Sequence, residues 1–186
     1  MIFKILTDTI EYDGSQIAPL WAYGIGIKGD SIVCFHGPMD VTFDNMKDIE
    51  DRKAGKTIQG DDLIHIIVER FDSPASMRLA YYMQRLLVVC IRDVLEKHGI
   101  ETTRNGDDLF VNGKKLTVSI ASAGVASEKI HCGINITTEG TPADVKTSAL
   151  LDFGIKDWKT IAHGIAEKFV HEIEDIEGDI AKTKSL

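Results

Sequence analysis

The chain is short of positive charge, of long apolar runs and of paired cysteines, and each shortage removes a class of function. Its 186 residues carry 21 lysines and arginines against 29 aspartates and glutamates, a formal net charge of −8. Nucleic-acid phosphates repel such a chain, so no nucleic-acid partner is expected. Lys28, Lys47 and Lys53 are scattered rather than clustered. No apolar run approaches the roughly 20 residues that span a bilayer, so no membrane partner is expected either. The first residues lack a charged segment followed by a long apolar core and do not read as a secretory signal. Cys34, Cys90 and Cys132 have neither metal-site nor disulfide spacing. They read as reduced, buried thiols of a cytoplasmic protein, with a reactive Cys132 as the sharper alternative. There is no Walker-type phosphate loop, internal repeat or interdomain linker. The acidic stretch from Asp44 to Asp51 reads as solvated surface, with partner binding as its alternative.

What remains is an ordinary globular composition, 44% apolar and 27% charged, read as one domain over residues 1–186. Strands are expected over 2–6, 31–36 and 63–71, the second ended by Gly37-Pro38 because proline cannot donate to a ladder. Residues 109–138 read as an antiparallel meander. A helix over 74–98 would take Ser73 as cap and Gly99 as stop, with apolar residues around most of its circumference. Arg85 within it needs a carboxylate partner. A second helix over 157–177, capped by Asp157, carries an apolar stripe from Trp158 to Ile176, with a frayed tail after Gly178. Short helices are expected over 17–23, 43–53 and 145–151, and a loop over 55–62. The fold class is α/β (α+β). A mixed, mostly antiparallel sheet packs against the two long helices, and its other face forms a cleft.

The densest chemistry lies between Arg104 and Ser122. Asn112-Gly113 favours a two-residue turn, because both positions need positive φ. Beyond it Lys115, Thr117, Ser119 and Ala121 alternate with Leu116, Val118 and Ile120, so a cation sits beside a small polar strip. The plain alternative is an exposed hairpin with a solvated lysine. With a bend near Val125, Ser119 falls opposite His131 and Lys115 opposite Asn135, which gathers four polar groups on one patch. His65 and Glu69 share a face of the 63–71 strand, either lining the cleft or as a core-edge histidine and a solvated glutamate.

Several segments resemble known families. Arg104, Asn105, Asp107 or Asp108, and Lys115 followed by Thr117 and Ser119 are similar to a segment of lipoate–protein ligases. That resemblance implies that Lys115 is the catalytic lysine, contacting the acyl carboxylate and the adenylate phosphate. It also implies that Asn105 and Asp108 lie where such ligases hold magnesium. His131-Cys132-Gly133-Ile134-Asn135 is similar to the His-Gly-x-x-x-Asn strand of lipoate ligases and octanoyltransferases, with altered spacing. Leu151-Asp152-Phe153-Gly154-Ile155 is similar to the octanoyltransferase segment Pro-Cys-Gly-Ile, but Phe153 stands at the cysteine nucleophile and cannot form a thioester.

The whole chain resembles a mainly archaeal family, domain of unknown function 366, grouped with biotin and lipoate ligases and more distantly with class II aminoacyl-tRNA synthetases. Tyr12-Asp13-Gly14-Ser15-Gln16, His65 through Phe71, Gln84-Arg85-Leu86-Leu87 and Gly133 through Pro142 are among the segments that carry it. The resemblance departs at residues 54–62. Lipoate ligases have Arg-Arg-x-x-Gly-Gly-Gly there and biotin ligases a Gly/Arg-rich loop, whereas this chain has Ala-Gly-Lys-Thr-Ile-Gln-Gly-Asp-Asp. No accessory domain is expected after the last helix.

The expected function is activation or transfer of a small carboxylic acid by an adenylate-forming ligase or acyltransferase. Lys115 would be the electrostatic clamp. Arg104, Asn105, Ser119, His131, Asn135, His65 and Glu69 would bind ligand, and ATP and magnesium would be the cofactors. The alternative is a module that binds a small carboxylate or nucleotide and has lost the chemistry. A homodimer is compatible with either.

Overall fold

The structure is a computed structural model that describes residues 1–184. Its main sheet has five strands: β1 (Ile2–Thr9), β2 (Ser31–Asp40), β3 (Gln59–Arg70), β7 (Thr117–Ala123) and β8 (Glu128–Asn135), in the order β1-β2-β3-β8-β7. Only β1 and β2 pair in parallel; β2–β3, β3–β8 and β8–β7 are antiparallel. A small sheet is formed by β4 (Thr103–Asn105), β5 (Asp108–Val111) and β6 (Lys114–Lys115). The helices are α1 (Trp21–Gly24), α2 (Ile49–Ala54), α3 (Met77–Lys97) and α4 (Trp158–Lys182).

Alternation along the central strands separates two faces. Ile32 and Cys34, Ile64 and Ile66, and Ile130 and Cys132 join Leu87 and Ile91 of α3 and Ile165 and Phe169 of α4 in the largest apolar cluster. Phe35, Leu63 and Ile67 point the other way, against Tyr12, Ile17 and Met39. All of β8 is buried, because both faces are covered at the middle of the sheet. All three cysteines are buried. Desolvation pushes the Cys34 and Cys90 thiols up to about 12 and that of Cys132 up as well, so a reactive Cys132 is overturned.

Several boundaries differ from expectation for identifiable reasons. β2 runs through Pro38 to Asp40, because pairing jumps from Gly37↔Leu63 to Met39↔Gly60, a bulge that spares the missing donor. β3 already begins at Gln59, so part of the expected 55–62 loop is strand. The cap of α3 is Ser76, whose Oγ accepts from Leu79 N–H, rather than Ser73. Gly99, at φ +79, does stop that helix. Tyr82 and Val89 are exposed, so α3 is less buried than the apolar residues around most of its circumference imply. Asp157 caps α4 through Lys159 and Thr160 N–H, and the helix continues past Gly178 to Lys182. The expected 145–151 helix is only a 3-10 turn over Leu150–Phe153. No helix among the described residues is long and apolar enough to cross a membrane.

Candidate functional site

The Asn112–Gly113 turn forms with φ of +51 and +74 and folds β6 back on β5. Phe110 then pairs with Lys115, which leaves Asp108 two residues along on the same face as a diagonal neighbour. Lys115 Nζ lies 2.9 Å from Asp108 Oδ2. Burial pushes the Asp108 carboxyl above its ordinary range despite the opposing pull of Lys115. The Lys115 backbone is fixed on its far side too: its N–H donates to Lys146 O and its carbonyl accepts from Ser148 N–H. The chain crosses from the small sheet to the main sheet at Leu116.

Two cavities lie against the sheet face away from α3 and α4. The first, of about 220 Å³, is lined by Tyr12, Ile17, Met39, Val118, Ile120 and His131 together with Lys115 and Asp108. The second, of about 190 Å³, is lined by Gln59, Asn135, Thr141 and Thr147 together with the apolar Ile58, Pro142 and Val145. Lys115, Asp51, Met39, Ile58 and Val118 line both, so Lys115 stands at the junction together with one carboxylate.

Behind the first cavity is a buried aromatic stack. Tyr12 lies over His131 with ring centroids 3.6 Å apart and 12° between planes. His65 Nε2 is 3.1 Å from Gly37 O, and His65 Nδ1 is 3.1 Å from His131 Nε2. Burial lowers both histidines, His65 to about 4. Both rings are therefore neutral near neutral pH, and a carbonyl can only accept. His65 must donate from Nε2 and accept at Nδ1, and His131 must donate from Nε2. The carbonyl that anchors this chain belongs to Gly37, at φ +155. A Cβ there would stand 2.3 Å from Ile10 O, so only glycine fits.

The expected site residues scatter. Lys115, Ser119 and His131 line the first cavity, and Asn135 lines the second while its side-chain amide donates to Ser148 O. His65 is reached only through His131. The expected register is corrected by one residue: Ser119 pairs with Cys132, Ile120 with His131, and Asn135 N–H meets Leu116 O rather than lying opposite Lys115. The slip turns Ser119 toward α3, where it accepts from Gln84 and donates to Asp107. Ser119 nevertheless still borders the first cavity, beside Val118 and Ile120. Asp107 is also the partner of Arg85, at 3.2 Å, a carboxylate as expected but a partly exposed one.

Glu69 is neither solvated nor in a cavity. It is buried, accepts from Ser127 Oγ and from the N–H of Leu20 at φ +65, and lies 3.8 Å from the buried Lys129 ammonium. Arg104 and Asn105 are exposed on the β4–β5 hairpin, Arg104 donating to Gly106 O. Asp108 is committed to Lys115, and the described residues hold no group of three His, Cys, Asp or Glu arranged for a metal. A magnesium ion there would rest on Asp108, waters and substrate phosphates rather than on a protein cage. Tyr12 and Gly37 were missed as site residues. Their signal was the Gly-Pro dipeptide inside an apolar strand, which marks a bulge and a close backbone approach.

Over its full length the chain is 43% identical to an uncharacterized protein of Methanocaldococcus jannaschii, covering 86% of that protein. A solved protein of unknown function from Pyrococcus horikoshi superposes with TM-score 0.93 and 40% identity, both chains covered completely. A biotin protein ligase from Aquifex aeolicus, in complex with biotin and ATP, superposes with TM-score 0.60 and 11% identity over 92% of this chain and 70% of the ligase. A putative lipoate protein ligase from T. acidophilum with bound lipoic acid gives TM-score 0.57 and 12% identity over 94% and 87%. At such identities the ligases share the fold and nothing more is implied. The matching family model, "Domain of unknown function (DUF366)", spans residues 1–184, so the chain belongs to that family, built on the biotin/lipoate ligase fold.

Proposed function

We propose that the cleft binds a small carboxylic acid with its carboxylate on Lys115 and its apolar chain along Val118 and Ile120, and activates it with a nucleotide. One observation carries the reading: Lys115 borders both cavities. Adenylation brings a carboxylate and a nucleotide α-phosphate together. A carboxylate oxygen attacks the phosphorus, the bond to the bridging oxygen breaks, and pyrophosphate leaves. A positioned ammonium between the two anions stabilises the charge that develops there. Gln59, Asn135, Thr141 and Thr147 supply amides and hydroxyls suited to a nucleotide in the second cavity. Asp108 holds the ammonium in place until the acid arrives. The ligases that share the fold bind biotin, lipoic acid and ATP, which supports this class of ligand.

The test is pyrophosphate exchange with ATP and a panel of carboxylic acids, read beside thermal shift. Exchange with at least one acid is expected, and Lys115→Ala should slow it by about 10²–10³-fold, the usual cost of losing one charge-stabilising group. A second reading is favoured by residues 54–62, which lack the glycine triplet and arginines of the ligases and pass directly into β3. In that reading the cleft binds the acid without turnover. Thermal stabilisation by an acid with no exchange would select it, and silence in both assays would end both.

A further inference from the structure

We infer that the acid taken by the first cavity carries a hydrogen-bond donor, a hydroxyl or N–H group, at the end of its apolar chain, received by Nδ1 of His131 beside the Tyr12 hydroxyl. This deepens the carboxylic-acid reading and rests on it. The inference starts from the hydrogen-bond chain Gly37 O, His65, His131. Each link fixes the next, because the carbonyl can only accept. The last nitrogen, His131 Nδ1, is left as a lone pair with no partner among the described residues. It is not one of the fully enclosed orphan atoms, and His131 lines the first cavity. Tyr12 is in the same position: its ring is 2% exposed and its hydroxyl has no protein partner, yet that oxygen is not sealed off.

Two polar atoms on stacked rings thus face one small cavity in which Ile17, Met39, Val118 and Ile120 form the apolar wall around Tyr12, while Asn45, Lys47, Asp48 and Asp51 line the rest. A plain alkyl terminus would strip water from both atoms and return nothing, which is costly for buried polar groups. A terminal hydroxyl, amine or amide N–H would satisfy the imidazole lone pair. The same group, or a neighbouring carbonyl, would meet the tyrosine hydroxyl, which both donates and accepts. The selectivity therefore comes from the protein's fixed tautomer. A site built to bond a donor discriminates strongly against the analogue lacking it.

The experiment compares chain-length-matched acids ending in methyl, hydroxyl or carboxamide by calorimetric titration of the whole protein. The donor-ended acid of optimal length is expected to bind at least about tenfold tighter than its methyl counterpart, the worth of one well-made hydrogen bond. Imidazole nitrogen NMR on the same protein should find the His131 proton on Nε2, with the Nδ1 signal moved by the donor-ended acid and not by the methyl-ended one. His131→Phe, which keeps an aromatic ring on Tyr12, should abolish the preference. If that variant does not fold, the wild-type comparison and the NMR decide alone. Equal affinities for methyl- and donor-ended acids, or a proton on His131 Nδ1, would overturn the inference and leave the carboxylic-acid reading standing. Failure of every acid to bind would instead remove that reading and this inference with it.

Discussion

The two faces of the main sheet are built from the same strands and follow opposite rules. Along β8, Ile130, Cys132 and Ile134 point to α3 and α4, while Lys129, His131, Gly133 and Asn135 point to the cleft side. The helix face is apolar and closed. The cleft face is nearly as buried but carries polar groups, each held by named partners: His65 by Gly37 and His131, Glu69 by Ser127 and Leu20, Asn135 by Ser148. Burying such groups costs stability unless every bond is made. One face therefore supplies stability, and the other holds atoms in fixed positions. Beside the first cavity Tyr12 and His131 present unmatched polar atoms, and the enclosed Ser31 Oγ and Gln16 Oε1 on this side also lack a partner.

The sharpest way to break this contrast is a truncation on the helix face. Ile66 is fully buried between β3 and the helices, and Ile66→Ala should cost about 2–5 kcal/mol by urea denaturation, the usual range for a buried cavity. Acid affinity of the folded variant should be unchanged. Next in size is an effect of pH on the cleft face. His65 falls from its ordinary 6.5 to about 4, and His131 is lowered well below its ordinary value by burial and by His65 itself. Protons then favour the unfolded chain. The stability held by these neutral rings is complete above about pH 6.5 and is lost as pH falls toward 4. A shift of the His65 size corresponds to ~3 kcal/mol. NMR titration should find both rings neutral through pH 5, and urea midpoints should fall across the same window. A His65 that titrates near 6.5 would mean the stack is open to water.

Most of the architecture was legible because it follows from periodicity and caps. The α4 stripe, the Asn-Gly turn, and the split of β3 into a His65/Ile67/Glu69 face and an Ile64/Ile66/Val68 face all held. Register was not legible, for a geometric reason. A bend centred on Val125 puts Ser119 against His131. The actual turn closes from Gly124 N–H to Ser127 O, with Ala123 paired to Glu128, so its centre falls half a residue later. In an antiparallel pair that moves every partner by one and exchanges the faces. The partner of Glu69 was equally hidden, since Lys129 approaches it only through the β3–β8 pairing. Lys115 was found because its position depends on a local turn. The Tyr12–His131–His65 stack was not, because it joins three segments far apart in the chain.

The smallest expected stability effect sharpens the contrast most. Ile120 pairs with His131 across β7–β8 and packs beside the Tyr12–Phe35 cluster, but it is only partly buried because its side chain borders the first cavity. Shortening it enlarges a space that already exists, and water can enter, so no sealed void is left. Ile120→Ala should therefore cost about 1 kcal/mol of stability, mainly the lost transfer of a few methylenes, well below the Ile66→Ala cost. Its acid affinity should fall severalfold, because the ligand chain loses part of its apolar wall. Paired denaturation and calorimetry on the two variants give a crossed pattern if the faces differ as described: one loses stability and keeps binding, the other keeps stability and loses binding. Equal stability costs for the two would mean that the cleft face is a second closed core, and the cavity beside Lys115 would then have no claim to be a binding site.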